Sequence, residues 1–438
     1  MSRPPAQQSA APGLPARKAA LAMLSETLRK KRPLDAVAAD ILNASALAPR
    51  DAGFARAIAT TALRRFGQLE ALIRHFVPKS PPPHKAGPTL EILIAGAAEL
   101  LFLDVAPHAT VDAANRLAES DSKAVHFKSL INAVLRRVAR EGAGIVASQD
   151  AGLNVPDWLW QRWQAHYGEA DARAIAAAHT RIPPLDLTLK SPDDPCTDLS
   201  GNRLAPGRMR LEHAGRIEEL PGFGDGRWWV QDFAASLPAR LLGDVTGKAV
   251  LDLCAAPGGK TLQLAAAGAD VTAIDLSRER LALIEENLKR VHLDAKLVVA
   301  DARDWRPATP APFVLLDAPC TATGTIRRHP DLPWLKEAAD LQICESLQGE
   351  LLEAAAEMTV PGGLLVYAVC SLEPEEGEER IAAFLHKRTD FAREKVKEEE
   401  VFDSQLLTEA GDLKALPSFW PDKGGMDGFF AARLRRSI

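Results

Sequence analysis

The strongest constraint in this sequence is a run of short apolar segments that alternates with helical ones after residue 248. Lys248–Cys254, Asp270–Leu276, Ala295–Asp301, Pro312–Pro319 and Gly362–Cys370 are each strand-length and nearly continuous in apolar residues. Strands of that kind are buried on both faces of a parallel sheet. Between them, stretches such as Arg278–Val291 carry Leu, Ile and Val at helical spacing. The alternation predicts a doubly wound α/β domain over residues 236–438.

The rest of the chain obeys a different pattern. Residues 1–15 are rich in Pro, Ala and Gln and read as a disordered tail. Residues 16–142 repeat Ala, Leu and Ile at helical spacing, with breaks at Pro33, at Lys79–Pro88 and around Pro107. They predict an all-helical domain. Residues 143–235 mix a helix start behind Pro156 and Asp157 with a strand-like Pro184–Lys190, and predict a small mixed α/β linking domain. Trp228 and Trp229 suit either core packing or stacking on bases.

Charge matters once the chain is divided this way. The 438 residues hold 53 Lys+Arg and 58 Asp+Glu, a net charge of -5, which by itself argues against a nucleic-acid binder. Residues 1–150 hold 20 basic and 13 acidic residues, a balance of +7, and the remainder is at -12. That asymmetry points to a helical part that meets a polyanion. Arg136, Arg137 and Arg140 end an apolar helix; they fit a solvated face or an RNA-contacting one.

Cys196, Cys254, Cys320, Cys344 and Cys370 are scattered, so no zinc spacing can be written and no disulfide framework is expected. No signal-peptide pattern and no membrane-length apolar run is present. The expectation is a soluble, cytoplasmic monomer with no metal and no membrane contact.

Ligands of a doubly wound sheet bind at the carboxyl ends of its strands. Here that edge carries Cys254, Ala255, Ala256, Pro257, Gly258, Gly259, Lys260 and Thr261, then Asp275, Asp301 and Asp317. The two glycines allow close approach of backbone to a ligand. Asp275 is positioned to accept both hydroxyls of a ribose, and Asp301 an adenine amino group. Gly259-Lys260-Thr261 looks like the end of a phosphate loop, but the first glycine of that motif would be Cys254. The dinucleotide glycine fingerprint is also missing. S-adenosyl-L-methionine fits the remainder best.

Two thiols share this edge: Cys320 follows the fourth strand and Cys370 ends the fifth. A thiol beside a methyl donor suits methylation of cytosine at carbon 5. That carbon becomes nucleophilic only after a thiolate adds to carbon 6. An acid near N-3, the role open to Asp317, takes up the charge of that addition. The thiolate needs local positive potential, with Lys260 one source. The base must also leave its stack.

Leu251–Thr261, Asp317–Gly324 and Tyr367–Glu378 closely resemble motifs of RNA cytosine-5 methyltransferases of the NOL/NOP2/Sun type. Ile326–Asp331 resembles the bacterial Sun subgroup, which methylates 16S ribosomal RNA. Phe127–Arg137 is similar to the NusB-like RNA-binding domain joined to that subgroup, and Asp427–Leu434 to the family's last strand. The resemblance covers nearly all of the chain beyond residue 15. It implies a Rossmann-like methyltransferase domain behind a NusB-like one, with S-adenosyl-L-methionine as cofactor and 16S ribosomal RNA as partner. It makes Cys370 the nucleophile and gives Cys320 the helper role in product release. It implies cofactor contacts from Cys254 through Lys260, from Asp275, Asp301 and Asp317, and from Arg280. The chain departs at Val369, where relatives commonly have Thr, and at Thr321, where they commonly have Ser. Arg327, Arg328 and His329 fit RNA phosphates or a polar surface loop. Two other functions stay open: an RNA-binding assembly or antitermination-type factor with a non-catalytic cofactor domain, and the same chemistry on transfer RNA.

Overall fold

The structure is a computed structural model that describes residues 13–79, 83–211 and 215–438. Most of the expected tail lies outside the described residues, and the first helix begins at Leu14, inside the span read as tail. By contacts the chain divides into two units. The first runs to Thr180 and includes His329–Lys336; the second holds Arg181–Arg328 and Glu337–Ile438. The stretch read as 143–235 falls on both sides of that division.

The first unit is helical, with principal helices at Leu14–Lys30, Leu34–Ala44, Pro49–Arg64, Phe66–Phe76, Thr89–Phe102, Pro107–Glu119, Lys128–Ala147 and Asp157–His179. Three carry Pro in the first turn, at Pro15, Pro49 and Pro107, where a missing N–H costs nothing. Ala16, Ala20, Met23 and Leu24 recur every three or four residues and are fully buried. A fully buried Leu or Met contributes about 1.5–3 kcal/mol. A Cβ at Gly96 would come within 2.9 Å of Leu135, so Gly96 permits two helices to approach closely. Within the core, Arg17 pairs with Glu99 at 2.6 Å and Thr110 donates to the same carboxylate. His329–Lys336 lies in sequence after the Cys320 motif yet packs in this unit. Asp331 accepts from the Leu34 N–H at 2.8 Å, and the Trp334 indole donates to the Leu63 carbonyl at 3.0 Å.

The second unit contains two sheets. The smaller is antiparallel, in the order β2-β3-β1-β4, from β1 (Leu185–Leu189), β2 (Asn202–Ala205), β3 (Arg208–Leu211) and β4 (Trp228–Val230). Trp228 and Trp229 are buried, which decides for core packing over base stacking.

The larger sheet is built from β5 (Ala249–Leu253), β6 (Asp270–Asp275), β7 (Lys296–Val299), β8 (Ala311–Asp317), β9 (Thr359–Val369), β10 (Phe391–Arg393), β11 (Leu413–Ala415) and β12 (Phe429–Arg436). Its order is β10-β12-β9-β8-β5-β6-β7, with β11 on β12. The five strands legible in the sequence are parallel, and β10, β11 and β12 add antiparallel pairs. The chain runs from β5 outward to β7, then returns to β8 on the other side of β5. That reversal opens a crevice at the carboxyl ends of β5 and β8. Among the described residues, no helix is long and apolar enough to cross a membrane.

Candidate active site

The crevice is lined first by the loop after β5. Cys254 takes φ 60° and Gly258 φ 103°, and Gly259 opens the helix Gly259–Ala266. A Cβ on Gly258 would lie 2.8 Å from Ile284, so both the positive φ and the close approach require glycine. Asp275, buried at the end of β6, accepts from the Ala256 N–H at 3.0 Å and the Ser277 N–H at 3.0 Å. Arg280 donates to the Ala256 carbonyl at 2.5 Å. Beneath the loop, Thr261 donates to fully buried Asp252 at 2.5 Å. Asp252 was not among the expected site residues. Burial pushes its acid up to about 7.

The acids at the strand ends have different surroundings. Asp301, just after β7, is held below the usual carboxylate range by the Arg303 guanidinium, which binds it at 2.7 Å. Leu276 and Val299 are exposed apolar side chains beside Asp275 and Asp301. Carboxylates that accept from hydroxyls or amines, next to uncovered apolar surface, suit a nucleoside. The donor set therefore fits S-adenosyl-L-methionine. Asp317 ends β8 and accepts from the Lys260 ammonium at 2.7 Å. Lys260 also lies over the Phe429 ring at 4.8 Å.

The two thiols expected on this edge meet. Cys320 Sγ and Cys370 Sγ are 3.5 Å apart. The hydrogen bond with Cys370, and then desolvation, raise the Cys320 thiol well above its ordinary value. By contrast Cys196 lies buried in the small sheet's core. The two thiol loops are tied together by Glu376, which is fully buried. Its carboxylate accepts from the Thr321 N–H at 2.9 Å, the Thr321 hydroxyl at 2.5 Å, the Ser371 hydroxyl and the Gln348 amide at 2.8 Å. The hydroxyl kept at Thr321 therefore has a use. Val369, the other departure from the family pattern, is buried in an apolar cluster. The Gly324 N–H donates to the Cys370 carbonyl at 3.0 Å, and a Cβ there would lie 2.2 Å from the Gly428 carbonyl.

Glu376 and Gln348 were missed by sequence reading. Glu373, Glu375, Glu376 and Glu378 crowd one motif; Glu373 and Glu376 are buried, and no periodicity says which of the four gathers the two thiol loops. Arg327 and Arg328 also prove structural. Arg327 is buried and pairs with Asp427 at 3.2 Å; Arg328 binds Asp232 at 2.6 Å and Asp427 at 2.9 Å. Burial opposes the Arg328 charge, but Asp427 and Asp232 outweigh it and raise the group. That leaves neither guanidinium free for RNA. His329 lies 3.5 Å from Asp35 in the helical unit.

A family model described as 16S rRNA methyltransferase RsmB/F matches residues 239–435, and a NusB family model matches residues 14–140. The ribosomal RNA small subunit methyltransferase B of Pseudomonas putida is 38% identical over 413 residues, covering 88% of this chain and 90% of that protein. The protein of that name from Cronobacter sakazakii is 36% identical over 395 residues, covering 85% and 87%.

The chain belongs to the RsmB/F methyltransferase family.

Structural neighbours of this methyltransferase agree on the fold. The crystal structure of PH0851 has a TM-score of 0.75 at 23% identity and covers 98% of this chain and 100% of its own. That of a methyltransferase homologue from Pyrococcus horikoshii has a TM-score of 0.52 at 27% identity, covering 63% and 93%. The NusB match falls in the helical unit. The RsmB/F match spans the loop after β5 and both thiol motifs.

Proposed function

We propose that this chain is an RNA (cytosine-5) methyltransferase that forms 5-methylcytosine in 16S ribosomal RNA through a covalent enzyme–base adduct. The observation that carries the reading is the 3.5 Å separation of two thiols from neighbouring strand ends. The family and the P. putida and C. sakazakii relatives support small-subunit ribosomal RNA as the substrate.

The cofactor is S-adenosyl-L-methionine, which when bound supplies an electrophilic methyl group. Cys254 through Lys260, Asp275, Asp301 and Arg280 would hold it, with Asp317 at the boundary with the target base. Cys370 Sγ adds to carbon 6 of a cytosine turned out of its stack. That bond moves electron density toward carbon 5 and N-3. The Lys260–Asp317 pair holds a proton beside the ring nitrogen that gains charge. After carbon 5 has gained its methyl group, solvent water takes its proton, and the electrons of that C–H bond re-form the carbon 5–carbon 6 double bond. The bond from carbon 6 to Cys370 breaks so that the thiolate leaves, and N-3 returns its proton to the Lys260–Asp317 pair. The raised Cys320 thiol keeps its proton and donates a hydrogen bond to the departing sulfur, which supports its role in release. Residues 16–142 serve as the RNA-docking domain, 143–235 as the link and 236–438 as the catalytic domain.

Cys370→Ala should abolish methyl transfer to 16S ribosomal RNA. Cys320→Ala should accumulate a protein–RNA adduct, visible as a retarded band on a denaturing gel. Activity retained in Cys370→Ala, with an inactive Cys320→Ala that forms no adduct, would reverse the assignment. Bisulfite mapping of RNA from a deletion strain tests the substrate. Loss of 5-methylcytosine from transfer RNA alone would move the activity there. No loss from either RNA would favour an assembly factor.

A further inference from the structure

The second unit holds a cleft of about 370 Å³ that the methyl-transfer chemistry leaves unused. Gly243 and Val245, which precede β5, line it, as do Ala266 and Ala267 at the end of the helix after β5. It therefore lies at the amino edge of the parallel sheet, opposite the thiols. Its polar wall is basic. Arg208 is buried there; its guanidinium donates to the Ser236 hydroxyl at 2.8 Å and the Gly207 carbonyl at 2.9 Å. Arg240 donates to the Glu400 carbonyl at 3.1 Å and lies over the Phe402 ring at 4.4 Å. Among the described residues, neither arginine has a carboxylate within ion-pair distance. The acid lining the cleft, Glu400, is already taken by Arg433 at 2.6 Å.

A buried guanidinium without an ion-pair partner, as at Arg208, is costly, and the half-buried Arg240, which feels the charge of Glu400, puts a second cation beside it. Burial, and then the charge of Arg240, depress Arg208 to about 10. An anion in the cleft would relieve both. Arginine's planar fork matches tetrahedral oxyanions, and such a cleft is large enough for a small ligand.

We propose that this cleft binds a phosphate-bearing anion, held by the guanidinium groups of Arg208 and Arg240. A phosphodiester of the RNA backbone and a free phosphate present the same oxygens, and experiment separates them. Thermal unfolding of the full chain in inorganic phosphate, against chloride at equal ionic strength, should show a saturable rise in midpoint of a few degrees. Arg208→Gln and Arg240→Gln should lose that rise, while Arg240→Lys keeps part of it. Arg306→Gln, at an exposed ion pair elsewhere, should retain it. Circular dichroism in chloride establishes that each variant is folded, and Arg240→Gln suffices if Arg208→Gln is not. In a second arm, binding to 16S ribosomal RNA is followed against salt. If the RNA backbone is the source, Arg240→Gln weakens binding roughly three- to tenfold and lowers the salt slope by about one. If free phosphate is the source, RNA binding is unchanged and only the phosphate effect disappears. The absence of both effects, or their equal size in wild type and Arg240→Gln, overturns the proposal.

Discussion

Glu376 shows what a single residue does in this fold. One buried carboxylate gathers donors from the Cys320 loop, the Cys370 loop and the helix bearing Gln348. Hydrogen bonds to a charged group contribute about 1.5–3 kcal/mol each, and a stranded buried donor costs comparably. Glu376→Ala should therefore destabilise the chain by about 3 kcal/mol or more, read from urea unfolding. It should also slow adduct formation by Cys370, because the two sulfurs lose their shared anchor. Glu376→Gln should fall between, since the hydroxyls of Thr321 and Ser371 can turn to accept. A Glu376→Ala protein of normal stability and adduct rate would refute this role. The candidate thiols and acids were legible because such residues at strand ends are rare and bear chemistry. Glu376 was not, because four glutamates share its motif, folding buries both Glu373 and Glu376, and only the fold brings the Thr321, Ser371 and Gln348 donors to Glu376. Arg327 and Arg328 carry the converse lesson. Two adjacent arginines resemble a polyanion contact in sequence, yet Asp232 and Asp427, from remote parts of the chain, claim both.

At the scale of elements, the loop after β5 rests on a titratable support. Asp252 lies within β5 and receives the Thr261 hydroxyl from the helix that follows. Its folded value of about 7 lies above the value near 4 of an unfolded chain. Between those values the folded state keeps a proton that the unfolded state has released. Stability from this group is thus fully present below about 4, falls as pH rises toward about 7, and is flat above that. Asp252→Asn removes the titration while its amide oxygen can still accept from Thr261. The stability of Asp252→Asn relative to wild type should climb between pH 4.5 and 7 and then level off. A pH-independent difference in urea midpoints would show that Asp252 titrates alike in both states. The same scale explains which strands could be read. The five parallel strands announce themselves because both faces are buried and their apolar runs are unbroken. β10 and β11 have three residues each, too short for a period to register. The antiparallel pairing of β12 with β9 is a matter of tertiary position.

For the whole molecule, the net charge of -5 misleads unless the chain is divided. The helical unit presents Arg136, Arg137 and Arg140 as exposed side chains, each with local partners: Arg136 bonds Asn132, and the other two reach Glu141. Surface pairs of that kind are weak enough to open toward a phosphate. Replacing all three with Gln should lower the salt slope of RNA binding by about two. An unchanged slope would mean that the RNA is held elsewhere.

The sequence alone determined the doubly wound sheet, the helical unit before it, and the thiols and acids at one sheet edge. Those features depend on local periodicity and on which residue ends a strand, and both are properties of neighbours along the chain. Tertiary structure alone decided that Cys320 and Cys370 lie within one hydrogen bond of each other and that Glu376 spans their loops. It also decided that Arg327 and Arg328 are buried, and that Arg208 and Arg240 line a basic cleft. These are encounters between residues far apart in sequence, and burial, which folding alone creates, gives each its chemical meaning.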